Sequence, residues 1–244
     1  MTIFWIIFFQ NSVLVNSVPR ETMNLKKKYD VVVVGGGHAG IEAALAPARL
    51  GLQVALITLD ASSIGRMSCN PAIGGLAKGH LVREVDALGG QMGCLADAAG
   101  IQFKMLNKSK GKAVWSPRAQ IDKKRYESLV SFSVHSEPNL DIVEGEARKV
   151  LTKKGVVSGV TIDGQTNIYC RSLVLTCGTF LNGLVHVGGR KISAGRMGEE
   201  ASDGITESLI SLGFTSGRLK TGTPPRLPVS YTHLRAHETR HDRV

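Results

Sequence analysis

Apolar residues along this 244-residue chain fall into short unbroken runs separated by glycine-rich or polar stretches. Val31 to Val34 is a run of four valines that leads straight into Gly35-Gly36-Gly37-His38-Ala39-Gly40. A continuous β-branched run reads as a strand buried on both faces, as in a parallel sheet. A helix is predicted from Ile41 to Leu50, and a second buried strand from Val54 to Thr58, so that the three close a βαβ unit. Pro47 falls inside that helix and predicts a kink costing about 3 kcal/mol. Leu81, Val85 and Leu88 share one face of a helix predicted over residues 78–88. Arg118, Gln120 and Asp122 are read as opening a further helix that runs to about Val134. Residues 139–143 form a strand, with residues 144–150 as its continuation or its neighbour. Residues 156–162 and 167–170 flank Asp163-Gly164, the dipeptide favoured in two-residue hairpin turns, and are read as a β-hairpin. Residues 173–176 make another buried strand, ending in Cys177-Gly178-Thr179-Phe180. The order predicts an α/β fold, a Rossmann-like parallel sheet with an inserted β-hairpin.

The glycines after the first strand give this architecture a chemistry. Gly35, Gly37 and Gly40 fit G-x-G-x-x-G between a strand and a helix. In this pattern the first glycine allows the tight turn, the second lets the backbone approach a pyrophosphate, and the third allows close helix–strand packing. The helix then points its amides and positive dipole end at the phosphates. A dinucleotide is the expected ligand. The acidic residue that usually holds a ribose hydroxyl is missing from the end of the second strand, where Thr58 stands. Asp60, two residues on, is read as a turn residue.

Length suits one large or two small domains, and 43% hydrophobic residues suffice for a core. The net charge of +10 favours an anionic partner, nucleotide or RNA, but with 5% aromatics no stripe marks a nucleic-acid groove. Cys69, Cys94, Cys170 and Cys177 include no C-x-x-C pair and no zinc spacing, which fits a reduced, cytoplasmic protein and no metal site. Residues 3–9 are strongly apolar but too short to span a bilayer, and no basic residue precedes them as in a signal peptide. Met23 is read as the start of the native frame and residues 1–22 as an extension foreign to it. The last residues, 229–244, have no apolar period; His233, His237 and His241 would align on a helix, but the segment is read as a spurious or disordered tail.

Two middle segments look chemical. Residues 63–75 form a glycine-rich loop at a strand end, where α/β folds build ligand sites. Cys69 lies in that loop, either as a nucleophilic or redox thiol or as a small residue packed against the cofactor. Lys108, Lys110, Lys112 and Arg118 could meet a phosphate-bearing substrate or simply form a solvated basic loop.

Seven blocks in one order resemble the MnmG (GidA) family of flavoproteins: GGGHAG at 35–40, MSCNPAIGG at 67–75, KGHLVREVDALGG at 78–90, GIQFKMLNKSKG at 100–111, RAQID at 118–122, LTCGTFLNG at 175–183 and GRLKTGTPPRL at 217–227. The resemblance implies an FAD-binding domain over residues 23–228 and an enzyme that modifies the wobble uridine of tRNA. That enzyme adds a carboxymethylaminomethyl-type group at carbon 5 of the base, with the GTPase MnmE, using FAD, NADH and a folate one-carbon unit. It also implies a homodimer and no membrane. By resemblance, Gly35, Gly36, Gly37, His38, Ala39 and Gly40 contact the FAD pyrophosphate, Ala147 the adenine and Ser202 a further part of FAD. Cys69 falls in the flavin-side loop as a catalytic candidate, and Lys220 and Arg226 face an anionic substrate. Family members are much longer, so the chain reads as an N-terminal fragment that is not expected to complete the reaction alone. The alternatives are the related folate-dependent tRNA uridine methyltransferase and an inactive FAD-binding module.

Overall fold

The computed structural model describes residues 7–8, 28–67 and 70–219. In chain order its strands are β1 (Ile7–Phe8), β2 (Lys28–Val34), β3 (Val54–Thr58), β4 (Ala72–Gly74), β5 (Gly100–Leu106), β6 (Ser116–Ile121), β7 (Leu140–Glu144), β8 (Ala147–Lys153), β9 (Val156–Ile162), β10 (Thr166–Leu175), β11 (Leu184–Val187) and β12 (Arg190–Ser193). The helices are α1 (His38–Arg49), α2 (Gly79–Ala87), α3 (Met92–Ala98), α4 (Lys123–His135) and α5 (Ile205–Ser211). All of these elements belong to the unit Phe4–Ser216.

The main sheet runs β7-β3-β2-β10-β9-β8. The first three pairings are parallel, the last two antiparallel. β1 pairs antiparallel with Val174 and Leu175 of β10. The valine run is buried on both faces, as its composition requires. Val33, Val54 and Leu56 join α1 and α4 in one core, while Val32, Val34, Ala55 and Ile57 join β8–β10 and α5 in the other. Tyr29 ties the sheet laterally by donating its hydroxyl to Asp141 of β7 at 2.8 Å.

The predicted hairpin is present. The Asp-Gly turn has Asp163 at φ +51° and Gly164 at φ +70°, the left-handed pair that matches strand twist. Residues 167–170 and 173–176, read as two strands, are instead one continuous strand, β10. It pairs with β9 along Thr166–Tyr169 and with β2 along Tyr169–Leu175, so the hairpin is an extension of the central sheet.

Between β3 and α4 the chain builds a second layer that the apolar pattern does not reveal. β4, β6 and β5 form a three-stranded antiparallel sheet, with α2 and α3 beside it. Arg118 and Gln120, expected to open a helix, lie within β6. The helix starts only after Asp122, whose side chain caps it by accepting from the Arg125 amide at 3.1 Å. Cross-strand pairing on both sides of β6 overrides local preference here. Helix α2 forms as predicted, yet its expected apolar face is turned outward: Leu81 is 59% and Leu88 90% exposed, and Gly79 and Val82 instead approach the sheet.

Candidate functional site

The carboxyl ends of β2, β3, β7 and β10 meet at one edge of the parallel sheet, where open α/β sheets bind ligands. The chain leaves β2 through Gly35 at φ +111°, a region that a side chain rarely adopts. A Cβ there would also fall 2.5 Å from the Thr176 carbonyl oxygen, and one on Gly40 only 1.8 Å from that of Gly35. Gly37 is different: nothing lies within 4 Å of the Cβ it lacks. Its openness is the cradle that a diphosphate approach requires. Helix α1 then begins with no side-chain cap and no acidic residue in its first turn, so its positive end is uncompensated by its own sequence.

Thr176 closes this turn from β10, its hydroxyl donating to the carbonyls of Val34 at 2.8 Å and Gly35 at 3.1 Å. Sequence reading missed that role, which depends on β10 lying beside β2. Thr58 is buried, its hydroxyl 2.9 Å from where a Cβ of Gly36 would sit. Asp60 accepts from the Ser62 amide at 2.8 Å; the Ser62 side chain first, and then this amide, holds its carboxyl below the usual range. It is a turn residue, as expected. Glu144, at the end of β7, accepts from the Ala61 amide at 3.2 Å and is the acidic side chain that the topology places next to Thr58.

His38 opens α1. Its ring meets Tyr126 of α4 edge-on, with centroids 5.7 Å apart, and its Nδ1 is buried without a hydrogen-bond partner. Burial, and then the nearby Arg196 charge, push its pKa down to about 4, so the ring is neutral. Ala147, at the start of β8, and Ser202 are both buried, and their chain neighbours hold the two segments together. Glu146 accepts from the Asp203 amide at 2.8 Å, and Gly204 packs directly on the Arg148 carbonyl. Ser202 is fixed by backbone bonds to Phe180 and Asn182.

Burial raises the thiol of Cys177 to about 12 and that of Cys170 to about 11, which leaves both protonated and poor nucleophiles. Cys69, Lys220 and Arg226 lie outside the described residues, as do His233, His237 and His241. Lys108, Lys110 and Lys112 sit on two exposed single-turn helices beyond β5, and Arg118 on β6. Among the described residues no cluster of His, Cys, Asp or Glu could hold a metal, and no helix is long and apolar enough to cross a membrane. A separate cavity of about 330 Å³ lies between α2–α3 and the three-stranded sheet, with Phe103 and Met105 on its apolar side and Arg83 and Asp97 on its charged side.

Residues 30–240 match the family model described as glucose inhibited division protein A. The chain belongs to this family. It is 55% identical over 208 residues to the tRNA uridine 5-carboxymethylaminomethyl modification enzyme MnmG of Chlorobaculum tepidum, covering 84% of this chain and 34% of that protein. It is 51% identical over 200 residues to the enzyme of the same name from Protochlamydia amoebophila, covering 82% and 32%. Among solved structures, GidA of Aquifex aeolicus superposes with a TM-score of 0.78 at 51% identity, over 81% of this chain and 33% of that one. The chain thus spans about a third of the length of the curated relatives it matches. The likeness to GidA matches the mixed α/β fold with its mainly parallel, Rossmann-like sheet.

Proposed function

We propose that this chain provides the FAD-holding portion, residues 23–228, of an enzyme that modifies the wobble uridine of tRNA. The observation that supports this most is its 55% identity to an enzyme named for that modification, across a segment that includes the open glycine turn. The site fits the cofactor. Gly35–Gly40 would receive the diphosphate on the α1 amides, while Ala147 and Ser202 would meet the rest of the dinucleotide. Bound there, FAD would supply redox and one-carbon transfer chemistry. The chain's own residues bind and orient: Thr176 fixes the turn, Tyr126 walls the site beside His38, and His38 presents a neutral ring nitrogen next to the helix terminus. Burial keeps the thiols of Cys170 and Cys177 protonated, and Cys69, which the family resemblance puts in the flavin-side loop, is the catalytic candidate, with Lys220 and Arg226 as contacts to an anionic substrate. In this reading NADH and a folate one-carbon donor are co-substrates, the GTPase MnmE and a second copy of the chain are partners, and the protein works in the cytoplasm.

The test is incubation of the purified chain with unmodified tRNA, FAD, NADH, a folate one-carbon donor, glycine as the source of the carboxymethylamino portion, and MnmE with GTP, followed by mass analysis of the tRNA nucleosides. Saturable FAD binding is the expected result, and FAD-dependent appearance of the carboxymethylaminomethyl group would show that the chain carries the modification as well. A methyl group at carbon 5 would identify the folate-dependent methyltransferase instead. Bound FAD with neither product nor NADH oxidation would reduce the chain to a binding module.

A further inference from the structure

Two arginines from different segments converge on one carboxylate near the glycine turn. Arg66, in the loop after β3, places Nη1 3.3 Å from Oε1 of Glu199, and Nη1 of Arg196 lies 3.9 Å from Oε2 of the same side chain. Asp60 stands 3.9 Å from the other terminal nitrogen of Arg66. The segment that carries Arg196 and Glu199 is a built turn. Glu199 donates its amide to the Arg196 carbonyl at 3.0 Å, Gly195 donates to the Glu199 carbonyl at 3.1 Å, and Thr179 holds the Gly195 carbonyl at 2.8 Å. The Arg196 guanidinium lies 5.1 Å over the Phe180 ring, and Gly195 presses on that ring so closely that a Cβ would fall 2.2 Å away.

A second observation links this turn to the ligand site. Arg196 is near enough to His38 for its charge to act on the ring, and the buried Nδ1 of His38 has no hydrogen-bond partner. His38 is the first residue of a twelve-residue helix whose first turn carries no acid. The uncompensated end of α1 is therefore bordered by an unsatisfied neutral imidazole and a guanidinium. The negative charge that Arg196 meets is the Glu199 carboxylate. A carboxylate shared by two guanidiniums has the charge and oxygen spacing of a phosphate group.

Resting on the reading that Gly35–Gly40 hold FAD, we propose that Glu199 stands in for the cofactor's diphosphate. When the dinucleotide binds, phosphate oxygens take the place of Glu199 on Arg196. The Gly195–Glu200 turn then becomes a wall of the cofactor site, one that the glycine fingerprint does not include. Glu199 competes with the ligand, and its release next to a diphosphate adds like-charge repulsion. Its removal is therefore expected to strengthen binding, the opposite of what a scaffold residue does.

The test is FAD titration of the full chain, followed by flavin fluorescence at low and moderate salt, together with the melting temperature of the cofactor-free protein. Arg196→Gln is expected to weaken FAD binding about tenfold and to flatten its salt dependence, with Arg196→Lys recovering part of the loss. Glu199→Gln is expected to tighten binding about threefold. Both melting temperatures should stay near the parent's. Unchanged affinity in Arg196→Gln, or weaker binding in Glu199→Gln, would overturn the exchange. Parallel loss of affinity and melting temperature in both variants would assign the turn a structural role instead. Failure of the parent chain to bind FAD would overturn the cofactor reading itself, and this inference with it.

Discussion

His38 stands at the junction of two demands, packing against Tyr126 and facing the ligand edge of the sheet, and it meets both by staying neutral. Its proton affinity has a consequence for stability. The unfolded histidine titrates near 6.5 and the folded one near 4, so between those values the unfolded chain binds more protons. Stability contributed by the neutral ring is present above about pH 6.5 and is lost as pH falls toward 4, by up to about 3 kcal/mol. The melting temperature of the cofactor-free protein should drop more steeply over this window than that of His38→Gln; equal slopes would show that the ring titrates as it does in the unfolded chain. The sequence singled out His38 as a candidate cofactor contact through its place in the fingerprint. Its missing hydrogen-bond partner and its Arg196 neighbour were beyond reach, because 158 positions separate the two residues along the chain. Thr176 was hidden for the same reason: its two hydrogen bonds exist only once β10 lies against β2.

At the scale of elements, the parts that the sequence made legible are those with strong local signals. The valine run with its glycines, the Asp-Gly turn and the Val54–Thr58 strand fold as their composition dictates. The three-stranded sheet of β4, β5 and β6 was not legible, since its strands are short, and Gly100–Leu106 is largely exposed and lacks a buried-strand pattern. Ser116–Ile121 was drawn toward the helix that follows it, because the capping Asp122 that separates them is a single polar residue in a polar stretch. Pro47 is a local conflict that the fold accepts. It lies in the last turn of α1, whose helix ends two residues later at Arg49, and its own carbonyl accepts the Leu50 and Leu52 amides. It still removes one hydrogen bond to Ala43. Pro47→Ala is expected to stabilise the protein by about 1–2 kcal/mol, the helix gain less the freedom returned to the unfolded chain. Urea denaturation reads this directly, and a loss of stability would mean that the pyrrolidine ring packs better than the restored helix turn.

For the molecule as a whole, one sheet separates two hydrophobic cores, and the site lies where the strands of both cores end. Gly35 and Gly40 have no room for a side chain, so the turn packs directly on Thr176 and on the start of α1. Gly37 alone of these three faces open space, in a backbone conformation, φ −77° and ψ −178°, that any residue adopts. A side chain there costs the fold little and the ligand much. FAD titration of the parent chain beside Gly37→Val, with melting temperatures for both, reads out directly whether a dinucleotide sits on this turn. Saturable FAD binding by the parent, a loss of at least about tenfold in the variant, and nearly equal melting temperatures are expected. Equal FAD affinity in the two proteins, or no binding by the parent, would contradict the placement of a dinucleotide on this turn.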